Sequence, residues 1–349
     1  MQTPTPRPRL SVVIPTYNSA DVLLRCVSSV LEQAVPDLEV IVVDDGSEDD
    51  AAGALSTLQS DQRVRLVRQG RAGVSVARNR GVRESRGEFV MFVDSDDHLQ
   101  PNSLRPFLEF AVGAAADVVV SDFLLSGEHD TQVVRALNTE RQVFGAEDRG
   151  VFQWLTLARV GFQGRPNVGL LGAPWAKIYS RSFFDRRLAR EDLFLPGLTR
   201  GQDVLFNAEV FGEADRVAYW PRATYSYTVS TNSASHRPAS DFENKVIALQ
   251  EGLQNLLTVK QWDHLRPAVA KMVVTLFEET LLRLGSSLSS ANVREVRSRH
   301  PVPESLSRAR LRDFSAVGRV KLLAFRIGPR TTFILMRGLR QVRSRSLGT

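Results

Sequence analysis

The first half of the chain alternates short apolar runs with longer amphipathic segments. Four runs rich in Val, Ile and Leu are typical of buried parallel strands: Leu10–Pro15, Leu38–Asp44, Val64–Arg68 and Phe89–Val93. Three segments between them have helical spacing, with Asp21 and Asp49 as predicted N-caps: Asp21–Gln33, Asp49–Leu58 and Val74–Ser85. Strands that alternate with helices in this way predict βαβ units and an open α/β sheet.

The pattern changes twice further along. After a predicted strand at Asp117–Leu125 it weakens to about residue 172, and then a second group of elements follows: strand Ala176–Ser180, helix Asp203–Phe211, and strands Arg216–Trp220 and Ala223–Val229. Beyond Asp241 only helical spacing occurs, in Phe242–Val259 and Pro267–Leu284. We therefore predict a disordered tail over 1–8, an α/β domain over 9–235 and a helical region over 236–349.

Composition agrees with a soluble globular protein of two units: 349 residues, 43% hydrophobic and 24% charged. No run reaches the ~18 apolar residues that span a bilayer, and the N-terminus lacks a signal-peptide hydrophobic region, so we expect a cytoplasmic protein. The single cysteine, Cys26, excludes a disulfide framework and a cysteine-rich zinc site. Its amphipathic surroundings predict a buried apolar side chain rather than a nucleophile.

Positive charge is concentrated at the C-terminal end. From Arg308 onward the sequence has eleven Arg or Lys and one acid, Asp313. The stretch 319–345 interleaves these cations with large apolar residues, which predicts contact with an anionic membrane surface. The alternative is a helix that docks on the α/β domain and leaves its arginines in water. No recognition motif accompanies the basic residues, so we do not expect a nucleic-acid partner.

Acidic residues follow two of the predicted strands. Phe89–Val93 runs into Asp94-Ser95-Asp96-Asp97, and Leu38–Asp44 ends in Asp44-Asp45. The carboxyl ends of parallel strands are where open α/β sheets bind ligands. A hard divalent cation shared with a diphosphate would explain so many neighbouring carboxylates. The alternative for the triplet is an acidic turn that caps the next helix.

The segment GVSVARNRG (73–81) begins a predicted helix with two arginines, Arg78 and Arg80. Helix N-termini and arginine both favour phosphate. Arg80 alone is more typical of an exposed helix face. The combination of acids suited to a metal and an arginine suited to a diphosphate is difficult to explain by a role in folding alone.

Five motifs follow one another along the chain: SVVIPTYN (11–18), DDGS (44–47), GVSVARNRG (73–81), GEFVMFVDSDD (87–97) and GQDVLFN (201–207). In this order they resemble the family-2 glycosyltransferases of the GT-A fold, and the resemblance covers about residues 9–235. The resemblance implies an open mixed sheet flanked by helices, with a nucleotide-sugar half over about 9–125 and an acceptor half over about 126–235. The region 236–349 would follow as a helical C-terminal part.

The same resemblance implies a reaction. A hexosyl group would pass, with inversion, from a nucleotide-diphospho-sugar to a hydroxyl of a glycan or lipid-linked glycan in polysaccharide biosynthesis. UDP is the commonest donor nucleotide, and Mn²⁺ or Mg²⁺ is the implied cofactor. An enzyme with a lipid-linked acceptor would work at the inner face of the cell membrane, where the basic tail could bind as a peripheral element.

Site roles are likewise implied by the resemblance. Donor binding falls to Pro15, Tyr17, Asp45, Arg78, Asp94 and Ser95. Tyr17 would stack on the base, Asp45 would accept a hydrogen bond from it, and Arg78 would lie near the diphosphate. Asp94 and Asp96 form the DXD motif, with Asp96 as metal ligand. His236 is a candidate third ligand, although a lone histidine in a polar loop is more often solvated.

Asp203 matches the family's catalytic base. Trp175, Lys177 and Gln202 would lie on the acceptor side. Gln202 stands where the family usually has Glu, which leaves two alternatives open. Glu191 or Asp192 could substitute for the missing acid, or the domain could be catalytically degenerate and act as a glycan- or membrane-associated binding protein.

Other readings receive less support from the residues. The turn PTYNSAD (15–21) has neither the glycine-rich, lysine-bearing loop of a nucleotidyltransferase nor the Gly-x-Gly-x-x-Gly of a dinucleotide-dependent oxidoreductase. Four aromatic residues on the late strands are predicted to be core rather than a sugar platform: Tyr219, Trp220, Tyr225 and Tyr227.

Overall fold

The computed structural model describes residues 7–54, 56, 61–127, 130–158, 169–187, 192–198, 201–229, 242–283, 288–298 and 302–346. The chain separates into two compact units, residues 1–237 and 238–349. The first unit is an α/β unit built on one mixed sheet, and the second is helical.

Ten strands of the described residues form that sheet. They are β1 (Leu10–Thr16), β2 (Leu38–Asp44), β3 (Val64–Arg68), β4 (Phe89–Phe92), β5 (His98–Leu99), β6 (Val118–Ser126), β7 (Thr131–Val134), β8 (Val143–Gly145), β9 (Lys177–Ser180) and β10 (Arg216–Thr228). The order is β3-β2-β1-β4-β9-β6-β10-β5, with β7 paired to β6 and β8 to β10. β3, β2, β1 and β4 are parallel, whereas β9 runs antiparallel to both β4 and β6. The open mixed sheet predicted from the sequence is confirmed.

Seven helices of the described residues flank the sheet. They are α1 (Ala20–Leu31), α2 (Ala51–Ala54), α3 (Val74–Glu84), α4 (Leu104–Ala114), α5 (Arg149–Ala158), α6 (Arg181–Arg187) and α7 (Gln202–Glu213). Alternate residues of β1 enter different apolar layers: Val12 and Ile14 join one cluster and Val13 another. With both faces covered, the central strands are largely apolar.

The helix α3, which carries the arginines, packs tightly on the centre of the sheet. A Cβ at Gly81 would lie 2.2 Å from Cγ1 of Val13, so only glycine permits this approach of helix to strand. Arg78 and Asn79 are buried on the same helix, whereas Arg80 is half-exposed and pairs with Glu84 at 3.0 Å. The exposed position expected for Arg80 is confirmed, and the packing turns Arg78 inward.

Two predicted N-caps are wrong. Ser19, not Asp21, is the N-cap residue of α1, and Asp21 lies in the first helical turn. Asp49 does not cap α2, because its Oδ2 accepts a hydrogen bond from the amide of Ala20 at the start of α1, at 2.8 Å. Asp50 takes the role at α2, where its Oδ1 accepts from the amide of Gly53 at 2.8 Å. The neighbouring strand ends bring Asp49 to α1, which local sequence cannot reveal.

The two late strands predicted as Arg216–Trp220 and Ala223–Val229 are one strand, β10. Its pairing with β6 shifts register between Trp220 and Ala223 and again before Tyr225. Pro221 in this gap has no amide hydrogen to give to a ladder, which is why the sequence suggests a break. The strand instead bulges and continues.

The second unit contains six helices among its described residues: α8 (Phe242–Val259), α9 (Arg266–Arg283), α10 (Ser290–Ser298), α11 (Val302–Arg308), α12 (Ala316–Ile327) and α13 (Pro329–Ser346). Phe325 of α12 packs edge-on against Phe277 of α9, with ring centroids 5.1 Å apart. Leu322, Phe325 and Met336 are fully buried. No helix in the described ranges combines the length and apolar character that a membrane crossing requires.

Candidate active site

The predicted acidic loop, residues 94–97, joins β4 to β5 at the carboxyl end of the parallel strands. Asp94 and Asp96 are partly exposed there, while Ser95 and Asp97 are buried. Asp44 and Asp45 end β2 at the same edge of the sheet, but β1 lies between β2 and β4. The two acidic pairs therefore do not adjoin.

Arg78 joins the acidic loop to α7. Its Nη2 lies 2.7 Å from Oδ1 of Asp94, and its Nη1 lies 2.7 Å from Oδ1 of Asp203. The guanidinium side chain is 3% exposed, whereas each carboxylate is 28% exposed. Burial opposes the charge on Arg78, but Asp203 and Asp94 outweigh it, and the pKa lies above its ordinary value. One buried cation thus holds two acids that stand 109 positions apart, with both still open to solvent.

The residue after Arg78 fixes a loop beneath it. Nδ2 of Asn79 donates to the carbonyl of Phe194 at 2.7 Å, and its Oδ1 accepts from the amide of Phe194 at 2.8 Å. The Phe194 ring then lies 5.3 Å from the guanidinium carbon of Arg78. Asn79 was not singled out in the sequence, although a polar side chain on the inward face of α3 is a signal for such a bond.

A buried asparagine, Asn207, lies one helical turn after Asp203. Nδ2 of Asn207 donates to the carbonyl of Asp203 at 3.0 Å and to that of Gly172 at 2.9 Å. Its Oδ1 accepts from the Tyr179 hydroxyl at 2.9 Å. The first turn of α7 is therefore tied to both β9 and the segment before it, which fixes the position of Asp203.

Lys177 is placed beside this turn, at the start of β9. Its side chain is buried, and Nζ donates to the carbonyl of Ala173 at 2.5 Å. Burial lowers the pKa of Lys177 to about 7, with Asp203 opposing the shift. A buried amine beside an acid can hold or release a proton near neutral pH.

Gln202 is also buried, and its Oε1 has no hydrogen-bond partner among the described groups. Trp175 lies deeper, where its ring stacks on Tyr225 with centroids 4.8 Å apart and an interplanar angle of 6°. Tyr219 and Tyr225 are fully buried, so the core role predicted for these two residues is confirmed.

Tyr17 follows β1 and lies under Arg71, whose guanidinium carbon is 4.5 Å from the ring centroid. Pro15 is buried within β1 beside Val43. Asp45 is buried and accepts three hydrogen bonds from the loop 69–73: from Gln69 Nε2 at 2.8 Å, the amide of Ala72 at 2.9 Å and the amide of Gly73 at 2.8 Å. Asp45 thus shapes the wall that faces Tyr17.

The acidic loop concentrates negative charge. Burial, and then the charge of Asp94, raise the pKa of Asp96. Burial, followed by the charges of Asp94 and Asp96, raises the pKa of Asp97 well above its ordinary value. A cation at Asp94 and Asp96 would relieve this repulsion, and carboxylate oxygens are the ligands that Mg²⁺ and Mn²⁺ favour. The residues present fit such an ion.

The protein supplies only part of a coordination shell there. Within the described ranges, no three His, Cys, Asp or Glu side chains are grouped closely enough to hold a metal ion. Mg²⁺ is usually held by one or two carboxylates, with waters and substrate phosphates as the other ligands. His236 lies outside the described residues.

Of the two proposed substitutes for the missing acid, only Asp192 lies among the described residues. Asp192 is exposed and accepts a hydrogen bond from Asn79 Nδ2 at 3.0 Å, next to Arg83. Glu191 lies outside the described residues.

Cys26 is fully buried under the acidic loop, its Sγ 3.4 Å from the carbonyl oxygen of Asp94, and burial raises the pKa of its thiol. The apolar role expected for Cys26 is confirmed.

Comparisons with known proteins identify the family of this chain. The sequence model of glycosyl transferase family 2 matches residues 11–188 of this chain. The succinoglycan biosynthesis protein ExoO of Rhizobium meliloti is 31% identical over 250 residues, which are 70% of this chain and 67% of ExoO. The uncharacterized glycosyltransferase EpsJ of Bacillus subtilis is 29% identical over 239 residues, 67% of this chain and 66% of EpsJ. The chain thus spans about two thirds of the length of these relatives.

Solved structures show the same fold. TarS 1–349 of S. aureus in complex with UDP aligns with a TM-score of 0.64 and 20% identity, over 95% of this chain and 91% of that one. The complex of TarS 1–349 with UDP-GlcNAc gives the same TM-score at 19% identity, over 95% and 92% of the two chains. At this identity the likeness concerns the fold. Together with the match over residues 11–188 and the similarity to ExoO, it shows that the chain belongs to glycosyl transferase family 2 and adopts the GT-A fold.

Proposed function

We propose that this glycosyltransferase moves a hexosyl group from a UDP-sugar to a hydroxyl of a glycan or lipid-linked glycan, with inversion, in polysaccharide biosynthesis. The observation that carries the proposal is the double ion pair of Arg78. It joins the acidic loop, which suits a nucleotide diphosphate, to the acid that matches the family's base. An arginine with only a structural role would not need two partly exposed carboxylates, Asp94 and Asp203, from separate elements.

In this proposal residues 9–125 bind the donor and 126–235 the acceptor. Tyr17 stacks on the base, with Pro15 and Asp45 forming the pocket wall, and Ser95 lies in the loop that faces the ribose. The UDP and UDP-GlcNAc complexes of TarS support a uridine donor, because that protein shares the fold.

The donor diphosphate needs charge compensation. Asp94 and Asp96 would hold Mn²⁺ or Mg²⁺, and such an ion, when bound, neutralises charge on the departing nucleotide. Arg78 adds a fixed positive charge at the same edge of the sheet. Because its guanidinium is buried and already oriented by Asp94 and Asp203, it does not have to reorganise during the reaction.

Asp203 serves as the base on the acceptor side. It takes the proton from the acceptor hydroxyl as that oxygen attacks the anomeric carbon from the face opposite the nucleotide. A single displacement inverts the configuration and needs no second carboxylate as nucleophile. Lys177 and Gln202 border the acceptor hydroxyl, and Trp175 supports this wall from behind.

Calorimetric titration with UDP, with and without Mn²⁺, tests the donor half of the proposal. We expect Mn²⁺ to tighten UDP binding, and Asp96→Asn to remove roughly tenfold or more of that gain. Asp215→Asn is a matched control, since Asp215 is a surface acid that also pairs with an arginine, Arg149. Equal UDP affinity with and without Mn²⁺ in the wild-type protein would contradict the metal-assisted site.

The second candidate is a catalytically degenerate domain that binds glycan or membrane partners. Gln202 supports it, because the usual acid is replaced by a buried amide whose Oε1 has no partner among the described groups. A panel of UDP-sugars and glycan acceptors separates the two. Donor binding without UDP release, with any acceptor, would favour the binding protein.

We further propose a peripheral position at the cytoplasmic face of the cell membrane. In the tail, α12 exposes Val317, Val320, Leu323 and Ile327, which share one helix face, and α13 exposes Ile334 between Arg330 and Arg337. Apolar residues beside arginines suit an anionic membrane surface.

Two other cations of the tail stabilise the helical unit itself. Arg326 donates to the carbonyls of Leu306, Ser307 and Ala309 at the end of α11, and Lys321 pairs with Glu278 at 2.6 Å. The proposed membrane contact therefore involves only the exposed face of α12 and α13. An anionic membrane would place the enzyme beside a lipid-linked acceptor.

A further inference from the structure

A tyrosine hydroxyl lies directly behind the acidic loop. The Tyr225 oxygen accepts a hydrogen bond from the amide of Asp94 at 3.1 Å and donates one to Oδ2 of Asp97 at 2.6 Å. Oδ1 of Asp97 in turn accepts from the amide of Thr228 at 2.7 Å. Both ends of the loop are thus bound to one strand, β10.

The Tyr225 ring has little freedom to move. It is fully buried, and Trp175 stacks on it almost in parallel. Phe123 in turn packs edge-on against Trp175, with ring centroids 5.0 Å apart. Backbone pairing of β10 with β5, through Tyr225 and Leu99, holds the strand next to the end of the loop. A phenol fixed in this way offers its oxygen at one place only.

Asp97 is 1% exposed, so its side chain is not accessible to a nucleotide-sugar donor from solution. It is nevertheless an acid packed beside Asp94 and Asp96, in a place where an apolar residue would avoid the cost of burial. Its two oxygens are both used, one by Tyr225 and one by Thr228. The carboxylate therefore has a structural role, which is to hold the acidic loop on β10.

We propose that Tyr225 and Asp97 are positioning residues for donor binding. They fix the peptide of Asp94 so that its side chain meets Arg78, and they hold the loop in which Asp96 would bind the metal ion. The inference rests on the proposed function, because it assigns a role within that same donor site. Both side chains are buried, so neither would contact the donor.

The test compares Tyr225→Phe with Tyr219→Phe. Tyr219 is a close match: it lies on the same strand, is buried, and donates its hydroxyl to a buried acid, Asp122, at 2.8 Å and to the carbonyl of Leu137 at 3.0 Å. It makes no such bond to the acidic loop. Both variants lose one buried hydroxyl, so a loss of general stability affects them alike.

Two readouts separate positioning from packing. Amide hydrogen exchange over residues 93–98 should become faster in Tyr225→Phe and stay at the wild-type rate in Tyr219→Phe. The Mn²⁺-dependent affinity for UDP should fall roughly tenfold in Tyr225→Phe only, as expected for two lost buried hydrogen bonds. UDP affinity without Mn²⁺ should change less than about twofold, because neither of the hydrogen bonds lost in this variant involves Tyr17. Asp97→Asn, which preserves side-chain size, is the second variant if Tyr225→Phe fails to fold.

Equal effects of the two tyrosine variants on exchange and affinity would overturn the inference. So would faster loop exchange in Tyr225→Phe with unchanged Mn²⁺–UDP affinity, because the loop would then be held for stability alone. Failure of the wild-type protein to bind UDP, or any nucleotide sugar, with Mn²⁺ marks the different case in which the proposed function fails and takes this inference with it.

Discussion

Arg78 is the residue at which the fold and the site meet. A buried guanidinium is tolerated because two carboxylates and the Phe194 ring surround it, and because its planar fork can serve both acids at once. Lysine has a single charged nitrogen and could not span Asp94 and Asp203 in the same way. The arrangement makes the orientation of Asp203, the proposed base, depend on the loop that would bind the donor.

Lys177 gives a pH-dependent prediction. Burial holds the pKa of Lys177 at about 7, against an ordinary value of 10.5. Between these values the unfolded chain binds more protons than the folded one, so the contribution of Lys177 to the free energy of unfolding rises with pH. Below about pH 7 the cost of the buried charge is fully present.

We therefore expect the wild-type protein to gain stability relative to Lys177→Met as the pH is raised from 7 to 9.5. Urea denaturation of both proteins at each pH measures the difference, which cancels titrations common to both. A difference that stays constant over this range would show that Lys177 does not titrate there.

Motifs predicted the individual acids and Arg78, but not their pairing. Asp203 lies 125 positions after Arg78, and only the packing of α7 against the sheet brings the two together. Asp97 shows the same limit: it stands next to the predicted ligands, yet its bonds to β10 depend on strand order. Periodicity reports which side of an element is buried and not which element covers it.

At the scale of elements, the turn after β2 organises the loops at the carboxyl edge of the sheet. Gly46 has a φ of 76°, and a Cβ there would lie 2.8 Å from the Arg71 amide nitrogen, so glycine allows the two loops to touch. Asp45 then binds the loop 69–73 through three donors, and this loop leads directly into α3 and Arg78. Two loops and a helix are built around one carboxylate.

Removing that carboxylate should release the loop. We expect Asp45→Ala to lower the free energy of unfolding by about 1–3 kcal/mol, because buried donors lose their acceptor. Hydrogen exchange over residues 69–77 should become faster. The control is Asp61→Ala, which removes a more exposed acid paired with Arg63 and should change stability by about 0.5 kcal/mol or less. Equal stability losses would contradict the organising role of Asp45.

The long apolar strands were predictable from the sequence, and the short antiparallel ones were not. β1, β2 and β3 contain enough β-branched residues to show a run, and they pair in parallel as predicted. β5 and β8 have two and three residues, too few for any period to appear. Their positions follow from pairing with β10, a tertiary effect.

At the scale of the molecule, the chain combines a GT-A unit with a helical unit rich in arginine. The helical unit buries Leu322, Phe325 and Met336 while it exposes a second apolar face on α12. Deletion of the tail would therefore remove core residues along with the proposed membrane surface. Point substitutions on the exposed face are the sharper tool.

We expect Leu323→Glu and Ile327→Glu to reduce co-sedimentation with vesicles containing anionic lipid, by roughly tenfold for the pair. These side chains are 46% and 73% exposed, so the changes should leave folding intact. Val133→Glu, at a 65% exposed apolar residue of β7, is the control and should bind like the wild-type protein. Unchanged sedimentation of the double variant would exclude this face as a membrane contact.

The central claim, that Asp203 performs the transfer step on a donor held by the acidic loop, is tested most directly by UDP release from a UDP-sugar in the presence of acceptor and Mn²⁺. Initial rates are compared for the wild-type protein, Asp203→Asn, Asp192→Asn and Asp215→Asn, each with its UDP affinity measured. We predict that Asp203→Asn loses about 10²–10⁴-fold in rate while it keeps UDP affinity within a few fold, since Asn can still accept a hydrogen bond from Arg78. Asp192→Asn and Asp215→Asn should keep most of the rate. Full activity of Asp203→Asn, or a loss of that size in Asp192→Asn, would contradict the assignment of the base.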